Sequence, residues 1–349
     1  MKVLIITSPI TEGTGVDNYW QRLLSSDYLR EVEVVRLTGI PERDPVSFPK
    51  LKLASPRTLR DIFRLFRVVR SIAPDVVVTS ISQSDILYSA VSGLIKRPWI
   101  IAVHGQPYPV PGQSNPIKTH LWKYLWKTAS RKCTSFICVS AATKKFLPTG
   151  AATTVVYSPV KIGTTSDTIA TRFSRIGFIG RLSLEKGPDI FGKLSDVMPE
   201  YSFHGYGDGP MLQDLKATHL ATSWHGYVEA QLALEELDLV LVTSVSEGLS
   251  LVLLEASAAG VPVLASAVGG IPEVIHPDLR DLLLVPIAQR TDLEYWQQKI
   301  QRLRDPDVRA RVSLLQREWI NRCFDERRSV RSFVDALHDS IERDSKTGR

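Results

Sequence analysis

Short runs of apolar, β-branched residues recur along the chain, and amphipathic segments lie between them. In the first half, the apolar runs predict strands at 3–7, 32–37, 75–80, 99–103, 136–140 and 154–157. The amphipathic segments predict helices at 16–26, 58–72, 86–95 and 118–132. Strands that are apolar on both faces belong to parallel sheets covered by helices. With right-handed crossovers between them, this half predicts a doubly wound α/β domain.

A small, polar stretch at 161–168 is the predicted linker, and the alternation restarts after it. Strands are predicted at 175–179, 201–204, 223–225, 239–243, 261–265 and 282–285. Helices are predicted at 188–197, 210–218, 230–237, 251–259, 294–304 and 330–341. We therefore expect an α/β fold with two Rossmann-like, doubly wound parallel-sheet domains, 1–165 and 166–325. Ligands of such sheets bind at the carboxyl ends of the strands, so the expected site is a cleft between the domains.

Composition agrees with two cores and excludes several classes of protein. The 349 residues are 44% hydrophobic and 23% charged, which is ordinary for a folded globular chain and excludes a mainly disordered or fibrous one. No apolar run approaches the roughly 20 residues that span a bilayer, and the run near the N-terminus is too short for a signal peptide. Three cysteines match neither a disulfide framework nor a zinc site, so a reducing, cytoplasmic setting is expected.

The charge is divided unevenly between the two halves. Residues 1–165 carry 22 Lys and Arg against 10 Asp and Glu, a net +12, whereas residues 166–349 carry 21 against 27, a net −6. A basic half favours an anionic partner such as nucleic acid or a membrane. The acidic half argues against a protein that coats nucleic acid along its whole length.

The segment 246–256, Ser-Glu-Gly-Leu-Ser-Leu-Val-Leu-Leu-Glu-Ala, links a predicted strand to a predicted helix. Glu247 lies in the loop and Glu255 about two turns into the helix, so both carboxylates can face one cleft. Gly248 and Leu249 carry backbone N–H groups at the helix start, where anions bind well. Taken alone, two glutamates at this spacing are more often simply solvated.

Two glycine-containing segments follow other predicted strands of the second half. In Gly-Arg-Leu-Ser-Leu-Glu-Lys-Gly at 180–187, Arg181 and Lys186 could converge on phosphate groups. In Gly-Tyr-Gly-Asp-Gly-Pro at 205–210, small residues such as Gly207 let a ligand approach the backbone. Alone, the first is also consistent with solvated cations and the second with a plain tight turn.

Together with Ala-Ala-Gly-Val-Pro-Val at 258–263 and Gly-Gly-Ile-Pro-Glu at 269–273, these segments closely resemble retaining glycosyltransferase family 4, also called glycosyl transferases group 1. The family's motifs G-R-x4-K-G, G-x-G, E-G-x6-E-A-x-A-x-G-x-P-V and G-G-x-x-E all occur in order. The resemblance is strongest over 175–277 and covers nearly the whole chain. It implies the GT-B fold, with a helix in 326–349 that returns to the N-terminal domain.

The resemblance implies a role for each matching residue. The implied donor site comprises Gly13, Gly15, Arg181, Lys186, Gly207, Tyr227, Val228, Gly248, Leu249 and Glu255. In this implied donor site, Arg181 and Lys186 neutralise the donor diphosphate, and Glu255 binds the nucleotide ribose. The loop at 226–228 holds the base, and the glycine loop at 13–15 faces the diphosphate and the acceptor.

The implied catalytic residues are His104, Glu247, Arg181 and Lys186. Glu247 lies near the donor sugar and His104 beside the reacting sugar. For His104 in isolation, a structural histidine capping an apolar strand is the commoner interpretation.

No cofactor or metal is expected, because the nucleotide-sugar is a substrate and fixed cations with a helix dipole can stabilise the leaving diphosphate. The single D-x-D, at 305–307, predicts a helix N-cap instead of a metal site. In retaining members of the family, the leaving phosphate accepts the acceptor proton, so no separate base is required. The family's usual N-G-V-D is replaced by Ser-Pro-Val-Lys at 158–161, which leaves the role of that turn open.

A basic stripe indicates a membrane-facing surface. Arginines recur at intervals of three and four residues at Arg57, Arg60, Arg64, Arg67 and Arg70. The other face of that helix is predicted to comprise Leu59, Ile62, Phe63, Phe66 and Val69, and to pack on the sheet. Aromatic and basic residues also alternate over 122–132, which suits an anionic bilayer. We expect peripheral association with the inner face of the plasma membrane.

The leading interpretation is a retaining, metal-independent hexosyltransferase that uses a UDP- or GDP-sugar. Its expected acceptor is a glycan, expected to be lipid-linked, in cell-surface polysaccharide synthesis such as that of lipopolysaccharide, with no nucleic-acid partner. A sugar-nucleotide epimerase and a non-catalytic binding protein of the same fold remain alternatives. A dinucleotide-dependent oxidoreductase is disfavoured, because the glycines at 13–15 lack the third glycine of G-x-G-x-x-G.

Overall fold

In a computed structural model, the chain forms two α/β units, Met1–Pro159 with Glu326–Arg349, and Val160–Asp325. The structure describes residues 1–8, 14–40, 43–44, 58–108, 115–160 and 173–347. The predicted linker at 161–168, Gly13 and Arg57 lie outside these described residues. The boundary between the units falls just before Val160, earlier than the expected 165/166.

The first unit is built on a six-stranded parallel sheet of order β2-β1-β3-β4-β5-β6. Its strands are β1 Lys2–Ile6, β2 Glu33–Leu37, β3 Val76–Thr79, β4 Trp99–Val103, β5 Ser135–Cys138 and β6 Thr153–Val155. Its helices up to β6 are α1 Gly15–Leu24, α2 Thr58–Ile72, α3 Ser82–Ser89, α4 Ser92–Ile95 and α5 Pro116–Ser130, with a 3-10 helix at Ala141–Phe146. The central strands β3, β4 and β5 are wholly buried, as their unbroken apolar runs require.

The predicted helix at 86–95 is wrong in its extent. The structure has two shorter helices, α3 from Ser82 and α4 to Ile95. The start was missed because Ser84 and Asp85 are polar yet buried. Ser84 Oγ satisfies its hydrogen bond by donating to the carbonyl of Ile81 at 2.7 Å, so a polar residue is tolerated inside the unit.

The second unit repeats the architecture with a sheet of order β12-β11-β10-β7-β8-β9, again all parallel. Its strands are β7 Arg175–Ile179, β8 Ser202–Tyr206, β9 Thr222–Gly226, β10 Leu239–Val242, β11 Val263–Ser266 and β12 Leu284–Val285. Its helices are α6 Pro188–Val197, α7 Leu212–Thr218, α8 Ala230–Leu234, α9 Leu251–Ala258, α10 Ile271–Val274, α11 Arg280–Leu283, α12 Leu293–Arg302 and α13 Pro306–Cys323, with 3-10 helices at Pro277–Leu279 and Ile287–Gln289. The alternation predicted for both halves is confirmed.

The last helix, α14 Glu326–Thr347, belongs to the first unit. Its Phe333 is fully buried and meets the ring of Trp20 edge-on, with centroids 5.8 Å apart. Arg327 lies over the ring of Tyr28 at 4.8 Å. Within the described part of the chain, no helix combines the length and the apolar character needed to cross a bilayer.

Candidate functional site

Two glycine turns interlock at the carboxyl ends of β7 and β8. The amide of Gly180 donates to the carbonyl of Tyr206, and that of Leu182 donates to Asp208, both at 2.9 Å. Gly207 has a φ of 140°, and a Cβ added there would overlap the carbonyl oxygen of Gly180. Glycine is therefore required at position 207, and the segment that carries Arg181 is held against the second turn.

An ion pair lies on the same edge of the sheet. Lys186 Nζ is 2.7 Å from Glu247 Oε1, and the Glu247 side chain is only 6% exposed. Ser244 Oγ donates to the same oxygen at 2.9 Å. The loops after β7 and β10 thus meet through side chains, which brings together two of the four residues predicted as catalytic.

Backbone contacts fix the position of this pair. The hydroxyl of Thr243 donates to the carbonyl of Gly187 at 2.7 Å, and the amide of Val245 donates to Glu185 at 2.8 Å. Gly187 has a φ of 65° and caps α6. Gly269 has a φ of 54°, and a Cβ there would overlap the carbonyl oxygen of Glu247. The loop that carries Glu247 is therefore held from both sides.

The helix α9 begins directly after this loop. Ser250 is its N-cap and accepts from the amide of Leu253 at 3.4 Å. Gly248 and Leu249 lie in the loop before the cap, and Glu255 is half-buried within the helix. The backbone amides at this terminus provide partial positive charge next to the ion pair.

Three residues predicted to bind the nucleotide-sugar donor are fully or partly exposed to solvent. The side chain of Arg181 is exposed and makes no hydrogen bond or ion pair with any other described residue. Tyr227 is 75% exposed and Val228 half-buried, in the loop after β9. Arg181 is therefore a cation at the strand ends whose guanidinium is available to a ligand.

His104 lies in the first unit, directly after β4, and its ring contacts three side chains. Its Nε2 lies 2.8 Å from Ser80 Oγ, and Trp20 Nε1 donates a hydrogen bond to the same oxygen at 2.7 Å. The ring of Tyr19 meets the imidazole edge-on, with centroids 4.7 Å apart. Burial, with a smaller contribution from the nearby Arg36, lowers the pKa of His104 to about 3. The imidazole is therefore neutral at physiological pH.

The sequence analysis missed a charged cluster at the start of α1. Asp17 is fully buried and lies 2.9 Å from guanidinium nitrogens of both Arg36 and Arg43. Gly15 is the first residue of α1, with Thr14 as its N-cap. A charged residue inside the otherwise apolar Val-Val-Arg-Leu run of β2 was the available signal.

Asp305 is the N-cap of α13 and accepts from the amide of Asp307 at 2.9 Å, which confirms the predicted cap. Among the residues that the structure describes, no three His, Cys, Asp or Glu side chains come together as metal ligands.

Comparison with known proteins follows the two units. The family model "Glycosyltransferase Family 4" matches residues 23–162, and the model "Glycosyl transferases group 1" matches residues 174–305. The chain belongs to glycosyltransferase family 4. It has the GT-B fold of that family, with the two parallel-sheet units described above.

Named relatives of this family-4 chain are similar over part of their length. The sulfoquinovosyl transferase SQD2 of Arabidopsis thaliana is 26% identical over 318 residues, covering 78% of this chain and 60% of the relative. The O-antigen biosynthesis glycosyltransferase WbnH of Escherichia coli is 36% identical over 105 residues, covering 29% of this chain and 31% of the relative. The chain therefore spans less than two thirds of the length of these relatives.

A solved structure is similar over nearly the whole chain. Alr3699/HepE of Anabaena, crystallised in complex with UDP, has a TM-score of 0.78 at 16% identity, covering 97% of this chain and 100% of that one. The same protein was also crystallised with UDP-glucose. At this level of identity, the similarity establishes the fold.

Several residues around Glu247 in the second unit and around His104 in the first were not predicted from sequence. Thr243 ties the loops after β7 and β10 together, and Ser244 donates to the carboxylate of Glu247 within the second loop. Ser80 and Trp20 surround His104. Ser244 and Ser80 both end or follow a buried strand on its carboxyl side, the position where ligands of such sheets bind. Location at the carboxyl end of a predicted strand, more than residue type, could therefore have identified Ser244 and Ser80 from the sequence.

Proposed function

We propose that this protein transfers a sugar from a UDP-sugar to a hydroxyl of a glycan acceptor, with retention of anomeric configuration. The observation that carries the proposal is the Lys186–Glu247–Ser244 cluster at the carboxyl ends of the strands. It lies in the unit that also presents the exposed Arg181, which has no side-chain partner among the described residues. Membership of family 4 supplies the class of reaction.

The charges suit departure of a diphosphate. Breaking the sugar–phosphate bond leaves negative charge on the nucleotide, and cations already in place stabilise that charge without reorganisation. Arg181 would bind the diphosphate as a planar fork, whereas Lys186 would act as a point charge already oriented by Glu247. Glu255 would bind the ribose hydroxyls. On this proposal the stabilising groups are side chains and the start of α9, with no metal required.

Neutral His104 fits a role beside the sugar as a hydrogen-bonding group. An imidazole whose pKa lies at about 3 is a weak base, so it is poorly suited to take the acceptor proton. A mechanism that retains the anomeric configuration and needs no enzyme base for the acceptor proton agrees with the weak basicity of His104. The proton of the acceptor would then pass to the leaving phosphate.

UDP is the nucleotide we favour. The similar HepE structures contain UDP and UDP-glucose, and their fold extends over 97% of this chain. The acceptor is proposed to be a lipid-linked oligosaccharide of cell-surface polysaccharide synthesis. The similarity to an O-antigen biosynthesis glycosyltransferase supports this choice.

The surface of the first unit supports a membrane location. On α2, Leu59 is 82% exposed and Phe63 61% exposed, so the prediction that both pack on the sheet is wrong. Their neighbours Arg60, Arg64 and Arg67 are also exposed. The opposite side of α2 is buried through Leu65 and Val69 in the hydrophobic core. Apolar side chains among cations suit an anionic bilayer surface.

The helix α5 carries a second patch of the same kind. Ile117 is 79% exposed, Leu121 56% and Tyr124 68%. Exposed lysines flank them at Lys118, Lys123 and Lys127. Trp126 of α5 is buried in the same cluster as Leu65 of α2, so both helices cover one side of the sheet. We therefore propose that α2 and α5 hold the protein on the inner, cytoplasmic face of an anionic membrane.

The test is turnover of UDP-sugars followed by ¹H NMR. UDP-glucose, UDP-galactose and UDP-N-acetylglucosamine are each incubated with the protein, first with water as the acceptor and then with membranes that contain lipid-linked glycans. The proposal predicts release of UDP and an α-configured sugar or product from one of these α-linked donors. Release of a β-configured sugar, or absence of UDP release from every donor under both conditions, overturns it.

A further inference from the structure

We propose that Ser80 and Trp20 hold His104 in the neutral tautomer that carries its proton on Nδ1. His104 then presents an N–H donor, and not a lone pair, to an oxygen of the bound sugar. The inference rests on the proposed function in one respect, the placement of His104 beside the reacting sugar. The tautomer itself follows from geometry within the first unit.

The direction of each hydrogen bond is fixed from Trp20 outward. An indole nitrogen can only donate, so Trp20 Nε1 donates to Ser80 Oγ across 2.7 Å. Ser80 is only 5% exposed, so its own hydroxyl hydrogen also needs an acceptor. Within the described residues, the acceptor that the hydroxyl reaches is His104 Nε2, at 2.8 Å. Donation to Nε2 leaves the imidazole proton on Nδ1.

The opposite assignment leaves a donor unsatisfied. If His104 donated from Nε2, Ser80 Oγ would accept two hydrogen bonds and its hydroxyl hydrogen would have no described acceptor. A buried donor without an acceptor is costly, whereas the two neutral tautomers of a free imidazole differ little in free energy. The structure therefore favours the Nδ1–H tautomer.

The surroundings also keep the imidazole neutral and fixed. Burial first, and then the positive charge of Arg36, lower the pKa of His104 to about 3. Arg36 is itself held in place by Asp17, whose carboxylate lies 2.9 Å from its guanidinium. Tyr19 meets the ring edge-on, and its hydroxyl donates to the carbonyl of Val156 at 3.0 Å.

The consequence is a defined donor at Nδ1. No described residue forms a hydrogen bond with that atom, and His104 is mostly buried but keeps part of its surface exposed. A sugar oxygen placed beside it would accept from Nδ1–H. Ser80 and Trp20 are thus positioning residues that act through His104.

The test is ¹⁵N NMR of the full-length protein labelled selectively on histidine. The chain has seven histidines, and the His104 signals are assigned by their loss in His104→Gln. Long-range ¹H–¹⁵N couplings and ¹⁵N shifts distinguish the two tautomers and the imidazolium. We expect a protonated Nδ1 and an unprotonated Nε2 for His104 between about pH 6 and 8. A protonated Nε2, or an imidazolium in this range, overturns the proposal.

Matched variants test the two positioning residues. Ser80→Ala removes the donor and is expected to move His104 towards the Nε2–H tautomer, whereas Ser80→Thr keeps the hydroxyl and the wild-type signature. Trp20→Phe frees a lone pair of Ser80 Oγ and is expected to mix the tautomers. An unchanged His104 tautomer in Ser80→Ala contradicts the proposal that the Ser80 hydroxyl fixes the tautomer. Unfolding of a variant is recognised from changes in the signals of the other six histidines.

Turnover separates a positioning role from a structural one. With UDP-glucose, Ser80→Ala is expected to lower kcat about tenfold with little change in KM. In a His104→Gln background the same change should have no further effect, because the two side chains act in one chain of hydrogen bonds. If the NMR signature is as expected but no UDP-sugar is turned over, the proposed function fails and the tautomer assignment stands.

Discussion

Lys186 Nζ lies 2.7 Å from Glu247 Oε1, and this ion pair links the loop after β7 to the loop after β10. The pair has two roles that can be separated. It satisfies a carboxylate that is almost completely withdrawn from water, and it orients the ammonium group that we assign to the donor diphosphate.

Removal of one partner should destabilise the second unit more than removal of both. Lys186→Met leaves the buried Glu247 carboxylate without its cation and is expected to cost about 1–3 kcal/mol of unfolding free energy. The double variant Lys186→Met with Glu247→Gln should regain most of that stability. Calorimetric thermal unfolding measures both. Neither variant should recover UDP affinity, and a double variant that binds UDP normally would remove Lys186 from the donor site.

Arg181 and Glu255 should bind different parts of the nucleotide, the diphosphate and the ribose respectively. Arg181→Ala is expected to lower UDP affinity about 10- to 100-fold, because a charge-assisted fork on phosphate is lost. It should leave uridine binding unchanged. Glu255→Gln should weaken UDP and uridine alike, because its proposed partner is the ribose. Isothermal titration with both ligands checks the division, and an Arg181→Ala variant with wild-type UDP affinity would contradict it.

The interlocked glycine turns predict a large contrast between two alanine substitutions. Gly207→Ala places a Cβ against the carbonyl of Gly180 and should cost about 3 kcal/mol or more. Gly226→Ala is its control, because Gly226 also has a positive φ, 77°, but has open space around the added Cβ. Its cost should be about 1–2 kcal/mol, from backbone strain alone. Equal losses in thermal unfolding would mean that the two turns do not interlock.

The exposed arginines of α2 should control membrane binding. Arg60, Arg64 and Arg67 changed together to Gln should lose about 3 kcal/mol of attraction to anionic vesicles, or about a hundredfold in partitioning. Co-sedimentation with phosphatidylglycerol vesicles measures it. The matched control changes three exposed arginines of the other unit, Arg280, Arg304 and Arg311, to Gln. Equal losses in both variants would show a general charge effect and contradict a specific surface.

Stability should fall in acid through His104. Its pKa in the folded protein is about 3, below the ordinary 6.5, so the unfolded chain binds the proton more tightly. The stabilising effect of the neutral ring is present above about pH 6.5 and is lost progressively as the pH falls towards 3. His104→Gln lacks this titration. The melting temperature of the wild type should therefore drop more steeply than that of the variant between about pH 7 and 5, and parallel curves would contradict the burial of a neutral imidazole.

Much of the fold followed from pattern alone. The helix at 58–72, the strand at 99–103 and the helix at 188–197 agree with the structure residue by residue. Each of these elements has a regular hydrophobic pattern or a residue that marks its end, such as the proline at the start of α6. Periodicity failed at α3, where buried Ser84 and Asp85 interrupt the apolar pattern.

The candidate site was less accessible to sequence reasoning. The motifs placed Lys186 and Glu247 in loops after two different predicted strands, but only the structure shows that these strands are neighbours and that the two residues form an ion pair. The exposure of Leu59 and Phe63 was also missed, because an amphipathic pattern does not reveal which apolar residues at its edge stay in water. The Trp20–Ser80–His104 chain joins three distant segments, and no local spacing encodes it.

The most direct test of the central claim is thermal unfolding of the wild type, Arg181→Ala and Arg311→Ala with UDP, GDP and ADP. A nucleotide at 100 times its dissociation constant stabilises the folded state by about 2.7 kcal/mol, which is readily measured. The account predicts that UDP stabilises the wild type and the Arg311→Ala control, and that Arg181→Ala loses the effect. Stabilisation by none of the nucleotides, or an equal UDP effect in Arg181→Ala, would contradict it.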